Sequence, residues 1–286
     1  MGIIQYAEHD ALSSSRKGFL EALKDAGYVE GENLTVDFLN AQGDQANLQT
    51  MVDQLAGQND LNFAIATPAA QALLNVDSET PAIFTAVTDP VSAGLVDSLE
   101  TPGGNMTGSI DATDVEGQVE MLLKVVPEAK TVGIFYNSSE VNSEVQAKQA
   151  KEALEAAGKT VVIKTVTSTN DVQQVMTSLA GQVDAIYLPT DNTVASTAAT
   201  IGEILMDKKV PAIGSDEAYL EAVLFTYGVD YHAIGVQAGE LAVEVLQGKD
   251  PADLSVKKPD TAAIAVNEEM AEALGIDSAS IEELNK

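Results

Sequence analysis

The chain has 286 residues, enough for two domains of ordinary size that each bury a core. Its 44 Asp and Glu against 15 Lys and Arg give a formal net charge of −29, which disfavours nucleic acids and anionic membrane surfaces as partners. Cysteine is absent, which excludes disulfides, thiolate metal sites and thiol nucleophiles.

The first half of the chain alternates apolar runs of strand length with stretches of helical periodicity. The pattern predicts strands at residues 3–6, 34–39, 61–66 and 81–86, and helices at 13–25 and 47–56. Gln5, Tyr6 and His9 then lie at or just after the end of the first strand. His9 has three possible roles there: a hydrogen bond to a ligand, a helix cap, or simple exposure to solvent.

Residues 61–74 pass from an apolar strand into a helix with no spacer, through Thr67-Pro68. Proline suits the first turn of a helix, and the N–H groups at a helix start attract anions. We therefore expect an anion site at Thr67, Pro68 and Ala69, beside the end of the fourth strand with its Thr85, Ala86, Thr88 and Asp89. The alternative is that Thr67 only caps its own helix.

The second half repeats this alternation. Strands are predicted at residues 131–136, 161–166, 185–188, 211–214, 224–229 and 262–266, and helices at 115–125, 233–246 and 267–274, with a long helix ending at 157. The turn-rich residues 101–108 are interpreted as the first of three crossings between two domains, with the others near 227–229 and 259–263. Residues 249–260 are interpreted as a linker.

Polar and aromatic side chains again gather at the predicted strand ends. Tyr136 and Asn137 close one strand and Asn142 opens the next helix, although Tyr136 could equally be a core tyrosine. Pro189-Thr190-Asp191-Asn192 forms a second strand-to-helix break, and Asp216 follows the strand at 211–214.

An internal repeat relates the two halves. Gly57-Gln58-Asn59-Asp60 before the first break matches Gly181-Gln182-Val183-Asp184 before the second, and Pro81-Ala82-Ile83 matches Pro211-Ala212-Ile213 at an offset of 130 residues. The predicted fold class is α/β, with two doubly wound, Rossmann-like domains joined by a hinge of several strands. Ligands bind beyond the carboxyl ends of the strands in such sheets, so two facing halves would form a cleft.

The chain resembles the ABC-transporter substrate-binding proteins of the tryptophan/tyrosine-transport family, which have the type I periplasmic-binding-protein fold and occur as lipoproteins in Gram-positive bacteria. The resemblance covers essentially the whole chain. The segments that carry it are residues 17–31, 40–44, 64–71, 84–90, 102–105, 136–140 and 189–193.

This resemblance implies capture of an aromatic L-amino acid and its delivery to an ABC permease. The first lobe, residues 1–107 plus 229–259, would bind the carboxylate at Thr67, Thr85 and Thr88. The second lobe, residues 108–228 plus 260–286, would bind the ammonium at Asp191 or Asp216. Further contacts are expected from the strand-end polar groups above, and Tyr6, Tyr136 and Tyr227 would flank the aromatic ring. Closure of the two lobes would complete the contacts.

The resemblance also implies an extracytoplasmic protein, anchored to the outer face of the cell membrane as a lipoprotein. No apolar run reaches the about 20 residues that a membrane-spanning helix needs. Because a strand-like run follows Met1-Gly2 directly, we expect that a leader bearing the lipid-linked cysteine was removed and Met1 added. We expect a monomer with no cofactor and no bound metal.

Three other functions compete with this one. The same fold could bind another small ligand, such as a branched-chain amino acid. A sensor would need a DNA-binding or signalling segment. An enzyme would need catalytic groups, yet the two histidines, His9 and His232, form no metal-binding motif, and only carboxylates such as Asp191 and Asp216 could perform acid–base chemistry. Turnover of a candidate substrate would distinguish an enzyme.

Overall fold

The computed structural model describes residues 1–285 and divides the chain into two compact units. Unit 1 contains Met1–Ala112 and Asp230–Asp260, and unit 2 contains Thr113–Val229 and the chain from Thr261 onward. The predicted first boundary, between residues 107 and 108, falls inside a strand of unit 1, so the division instead follows Ala112. The other two divisions lie one residue from the predicted positions.

Strands and helices alternate along most of the chain. The strands are β1 (Gly2–Gln5), β2 (Asp37–Asn40), β3 (Asn62–Ile65), β4 (Ala82–Val87), β5 (Met106–Ile110), β6 (Thr131–Asn137), β7 (Thr160–Val166), β8 (Ala185–Leu188), β9 (Ala212–Gly214), β10 (Phe225–Val229) and β11 (Ala262–Val266). The helices are α1 (Asp10–Asp25), α2 (Gln45–Leu55), α3 (Thr67–Val76), α4 (Val115–Val125), α5 (Val141–Ala156), α6 (Val172–Ala180), α7 (Asn192–Ser196), α8 (Ala198–Lys208), α9 (Tyr231–Leu246), α10 (Glu268–Leu274) and α11 (Ser278–Glu282). No helix in the described part of the chain is both long and apolar enough to cross a membrane.

Unit 1 contains a parallel sheet with the strand order β2-β1-β3-β4-β5. Strands β1, β3 and β4 are buried along their whole length, and their sequences are correspondingly apolar rather than alternating. Helix α1 packs against α9, and α2 packs against α3. The predicted doubly wound arrangement is confirmed for this unit.

Helices α1 and α9 approach each other closely because glycines line their contact. A Cβ atom added at Gly235 would lie 2.1 Å from the carbonyl oxygen of Ser15, and one added at Gly18 would lie 2.2 Å from the carbonyl oxygen of His232. Side chains larger than hydrogen would therefore push the two backbones apart. The first helix of the chain thus depends on a helix that follows more than 200 residues later.

Strand β5 corrects the prediction that residues 101–108 form a crossing between domains. Met106–Ile110 pairs in parallel with β4 and is fully buried. The sequence hides this strand because Thr107, Gly108 and Ser109 are not apolar. Their burial is nevertheless favourable: the hydroxyls of Thr107 and Ser109 donate to the carbonyls of Leu254 and Ile234 at 2.7 Å each.

The segment 249–260, predicted to be a linker, is in part paired with β5. Lys257 N donates to the carbonyl of Gly108 at 2.8 Å, and Ile110 N donates to the carbonyl of Lys257 at 2.9 Å. The segment therefore runs along the β5 edge of the unit 1 sheet.

Unit 2 repeats the topology of unit 1 and adds one strand. Its order is β11-β10-β9-β8-β6-β7, in which β7-β6-β8-β9-β10 corresponds to β2-β1-β3-β4-β5 of unit 1. The added strand, β11, is antiparallel to β10. The internal repeat predicted from the sequence is therefore confirmed. Strand β10 belongs to the sheet of unit 2, and the chain passes back to unit 1 directly after it, at the crossing predicted near residues 227–229.

Candidate functional site

In each sheet the second strand of the unit lies on one side of the first strand and the third strand lies on the other side, so the strand order reverses at one point. In unit 1 it lies between β1 and β3, and in unit 2 between β6 and β8. Loops at the carboxyl ends of such neighbouring strands diverge and leave room for a ligand. We refer to the loops after β1, β3 and β4 as the unit 1 edge, and to the loops after β6, β8 and β9 as the unit 2 edge.

The centre of the unit 1 edge is the start of α3. Ala66 is the N-cap residue and no side chain caps this helix in the described structure. Thr67 is the first helical residue, is 2% exposed, and its hydroxyl has no hydrogen-bond partner within residues 1–285. The alternative that Thr67 caps its own helix is therefore wrong. Pro68, which has no N–H, and Ala69 continue a buried first turn, in which the N–H groups of Thr67 and Ala69 have no acceptor within the helix and can bind an anion.

Backbone strain marks the same edge. Non-glycine residues with positive φ are Gln42 after β2 (57°), Ala66 after β3 (84°) and Ala86 near the end of β4 (54°), besides Lys209 at the end of α8 (55°). Such conformations cost about 1–3 kcal/mol each and tend to cluster at ligand sites. At Ala66 the strain turns the chain from β3 directly into α3, which is how the strand passes into the helix without a spacer.

Gln5 and Tyr6 close β1, the neighbour of β3. Gln5 is fully buried, and its Nε2 donates to the carbonyl of Ala7 at 2.7 Å while its Oε1 has no partner among the described residues. Tyr6 is 2% exposed, and its hydroxyl contacts the carbonyl of Gly43 and Nε2 of Gln45, both at 3.3 Å. Two neighbouring strand ends thus each present one unpartnered polar atom, on Gln5 and on Thr67.

Two other predicted residues of unit 1, Thr85 and Asp89, make hydrogen bonds within the unit, and a third, His9, begins a helix. Thr85 lies inside β4 rather than at its end, and its hydroxyl is 2.8 Å from that of Ser109. Asp89 accepts hydrogen bonds from the backbone N–H and the hydroxyl of Ser92, which closes a turn. His9 occupies the N-cap position of α1, but its side chain does not cap that helix with a hydrogen bond. Thr88, buried directly after β4, stays at the edge.

Asp191, at the centre of the unit 2 edge, is 1% exposed and joins two strand ends. Its Oδ2 accepts from the backbone N–H of Asn137 at 2.7 Å, and its Oδ1 accepts from that of Val194 at 2.9 Å. Burial raises the pKa of Asp191 even though these hydrogen bonds favour its charged form. Each carboxylate oxygen therefore already accepts one backbone hydrogen bond, and the two bonds fix Asp191 between the end of β6 and the start of α7.

Glu140 is a buried acid that the sequence analysis did not select. It precedes α5, yet its carboxylate reaches the start of α7, where it accepts from the side-chain amide of Asn192 at 2.6 Å and from the backbone N–H of Asn192 at 3.1 Å. Burial and the neighbouring carboxylate of Asp191 raise the pKa of Glu140 to about 8. The partners are 52 residues apart in sequence, so no local pattern identifies this contact.

The backbone carbonyl and N–H of Thr190 form hydrogen bonds with side chains in the first turns of α5. Asn142 Nδ2 and Ser143 Oγ donate to the carbonyl of Thr190 at 2.8 and 2.9 Å, and Gln146 Oε1 accepts from its N–H at 2.6 Å. The hydroxyl of Thr190 is 3.1 Å from that of Ser215. Asn142, Ser143 and Gln146 are buried, and the latter two were not predicted as site residues.

The remaining predicted residues of unit 2 lie around this cluster. The side-chain amide of Asn137 is used within the unit, by Thr193 Oγ1 and Ser139 N, both at 2.8 Å. Asp216 is 2% exposed after β9, and its Oδ1 accepts from Ala218 N at 2.8 Å. Tyr136 and Tyr227 are half-buried, and Tyr227 lies one residue beyond the level of the end of β9.

Asp111 was missed because β5 was missed. It follows β5 directly, is 2% exposed, and its Oδ2 accepts from the hydroxyl of Tyr231 at 3.0 Å. No apolar run precedes Asp111, so no local signal in the sequence marks it as an acid at a strand end. Within residues 1–285, no group of three or more His, Asp or Glu side chains is arranged to hold a metal ion.

Comparison with known proteins identifies the family. Residues 1–283 match the family described as ABC transporter substrate binding protein. The chain belongs to this family. The resemblance inferred from the sequence, including the type I periplasmic-binding-protein fold, is therefore confirmed.

This substrate-binding protein has relatives of similar length and known structure. It is 39% identical over 286 residues to a tyrosine-binding protein of Clostridioides difficile strain R20291, covering 99% of this chain and 83% of that protein. The crystal structure of an ABC domain in complex with L-Trp from Streptococcus pneumoniae has a TM-score of 0.94 and 38% identity, covering 99% and 97% of the two chains. The ligand-free, open structure of a substrate-binding protein with adhesive properties from Clostridium difficile has a TM-score of 0.73 and 42% identity, covering 97% and 95%.

Proposed function

We propose that this substrate-binding protein captures an aromatic L-amino acid outside the cell membrane and delivers it unchanged to an ABC permease. Two relatives support the ligand class, because one is named a tyrosine-binding protein and the other is a complex with L-Trp. The observation that carries the proposal is the start of α3, an uncapped helix with a buried, unpartnered hydroxyl on Thr67.

In this proposal the unit 1 edge binds both charged groups of the ligand. The N–H groups of the first turn of α3 and the Thr67 hydroxyl donate to the carboxylate. The Oε1 atom of Gln5 is an acceptor, so it suits the ammonium. Neighbouring strand ends lie about 4.8 Å apart, close enough for the two groups on one α-carbon to contact both of them.

A buried ammonium also needs a carboxylate partner. We assign this role to Asp216 rather than Asp191, because the oxygens of Asp191 are occupied by the N–H groups of Asn137 and Val194. We do not include Thr85 among the residues that bind the carboxylate, because its hydroxyl forms a hydrogen bond with that of Ser109 inside the sheet. The half-buried Tyr136 and Tyr227 stay in the proposal as neighbours of the aromatic ring.

Calorimetric titration of the purified protein with matched ligands tests the proposal. L-Tryptophan, L-tyrosine and L-phenylalanine should bind, whereas tryptamine, which lacks the carboxylate, and indole-3-propionate, which lacks the ammonium, should bind at least about tenfold more weakly. At 100 times its dissociation constant, the best ligand should add about 2.7 kcal/mol to the free energy of unfolding. Binding of leucine as tight as that of tryptophan, or chemical conversion of the ligand, would contradict the proposal.

A further inference from the structure

The start of α5 presents a buried amide whose orientation is fixed by its surroundings. Asn142 is 4% exposed, and its Nδ2 donates to the carbonyl oxygen of Thr190 at 2.8 Å. A flipped amide would place two acceptor oxygens against each other there, so Nδ2 must be the end that faces Thr190. The other end, Oδ1, has no hydrogen-bond partner anywhere in residues 1–285.

The contact with Thr190 does not by itself explain why Asn142 is an asparagine. The same carbonyl oxygen accepts a second hydrogen bond, from Ser143 Oγ at 2.9 Å. A serine next to an apolar residue would already satisfy the carbonyl, without the cost of burying an unpaired amide oxygen. Asn142 lies in the first turn of α5, the helix that follows β6, and β6 is one of the two strands at the switch point of unit 2, where a ligand could supply the missing donor.

The partners already proposed for the charged groups of the ligand indicate which group is left for this acceptor. An ammonium in a buried site is best neutralised by a carboxylate, and the proposed function gives that role to Asp216. The same proposal gives the ammonium a second partner, the Oε1 atom of Gln5, so the donor that remains for Asn142 is one on the ligand side chain. The side chains of tryptophan and tyrosine carry such donors, an indole N–H and a phenol O–H, and phenylalanine carries none.

We infer that Asn142 makes this protein select tryptophan and tyrosine over phenylalanine, by accepting a hydrogen bond from the indole N–H or the phenol O–H at its Oδ1. This inference rests on the proposed function, because it requires an aromatic amino acid in the site. It assigns to α5 a recognition of the ligand side chain that is separate from the binding of the carboxylate and the ammonium.

Ligand analogues test the inference on the unmodified protein. 3-(3-Benzothienyl)-L-alanine has nearly the shape of tryptophan but a sulfur atom in place of the indole N–H. Calorimetry should give it at least about tenfold weaker binding than L-tryptophan, and L-phenylalanine at least about tenfold weaker binding than L-tyrosine, because each analogue leaves Oδ1 buried and unpaired.

A pair of variants locates the effect on Asn142. In Asn142→Leu, which keeps the branched heavy-atom skeleton of the side chain but removes its oxygen and nitrogen, tryptophan and the benzothienyl analogue should bind with affinities within about threefold of each other. The control is Ser143→Ala, which removes the other donor to the Thr190 carbonyl and should leave the ratio between the two ligands as in the unmodified protein. Far-ultraviolet circular dichroism verifies that both variants fold.

The possible outcomes separate this inference from the proposed function. If the unmodified protein binds tryptophan and the benzothienyl analogue equally, the inference is overturned while the proposed function stands. A selectivity that persists in Asn142→Leu also overturns it. If no aromatic amino acid binds at all, both fall together. Loss of selectivity in Asn142→Leu alone supports the inference, and the analogue series decides the matter should that variant not fold.

Discussion

Replacement of Thr67 by valine should make the empty protein more stable and the complex weaker. The two side chains have nearly the same shape, so the substitution changes little except the hydroxyl. In the empty protein that hydroxyl is buried without a partner, whereas we propose that it donates to the ligand carboxylate when the site is filled. The two effects therefore have opposite signs.

The magnitudes follow from the surroundings of this hydroxyl. A buried polar group without a partner costs about 1–3 kcal/mol, so Thr67→Val should raise the free energy of unfolding of the empty protein by up to about that amount. A hydrogen bond to a charged group contributes about 1.5–3 kcal/mol, so the dissociation constant should rise by roughly 10- to 150-fold.

Urea unfolding without ligand and calorimetric titration with L-tryptophan measure the two quantities on the same samples. The matched control is Thr85→Val, which removes a buried hydroxyl that has a partner, Ser109 Oγ at 2.8 Å. Because Ser109 also donates to the carbonyl of Ile234, the control should lose about 0.5–1.5 kcal/mol of stability and keep its affinity. An unchanged affinity in Thr67→Val, or a loss of stability like that of the control, would refute the reasoning.

Three further predictions concern stability. Asp191→Asn should lower the free energy of unfolding by about 1–3 kcal/mol, because the new amide would face the N–H of Asn137 or Val194; denaturant titration that finds no change would contradict the bridging role. Gly235→Ala should cost about 1–3 kcal/mol despite its better helix propensity, because its Cβ would lie 2.1 Å from the Ser15 carbonyl oxygen; an unchanged melting temperature would rule this out. Burial raises the pKa of Glu140 from an ordinary 4.5 to about 8, so the folded protein holds this proton more tightly than the unfolded chain. Its contribution to stability is therefore complete below about pH 4.5 and lost as the pH rises through about 8; unfolding measured from pH 5 to pH 9 should show a steeper decline for the unmodified protein than for Glu140→Gln.

The parts of the fold that could be predicted are those set by local pattern. Buried strands such as β3 and β8 appear as short apolar runs, and the repeat revealed the two similar sheets. Strand β5 could not be recognised in this way, because the hydroxyls of Thr107 and Ser109 become compatible with burial only through partners distant in sequence, at Leu254 and Ile234. The doubly wound strand order places the carboxyl ends of the strands side by side. Residues predicted separately in each loop therefore lie together, on the unit 1 edge or on the unit 2 edge.

The role of each site residue was harder to predict than its position. Asp191 was expected at the end of β8, but its availability to a ligand depends on two backbone N–H groups, one of them 54 residues away. Thr67 shows the reverse case, because the sequence allowed a capping role that the geometry at Ala66 rules out. The sequence indicates which side chains lie at the end of a strand. The three-dimensional contacts decide which of those side chains already have hydrogen-bond partners.

The close packing of α1 on α9 also affects when the protein can fold. Both units are made of segments distant in sequence, so neither can be completed until the chain beyond residue 230 has been synthesised. At about 5–20 residues per second a ribosome needs on the order of 10–45 s to pass from the end of α1 to the end of α9, and during that time the face of α1 around Gly18 has no partner. Both units therefore stay incompletely folded until translation is nearly finished. We expect the fragment of residues 1–229 to be digested by proteases much faster than the full chain.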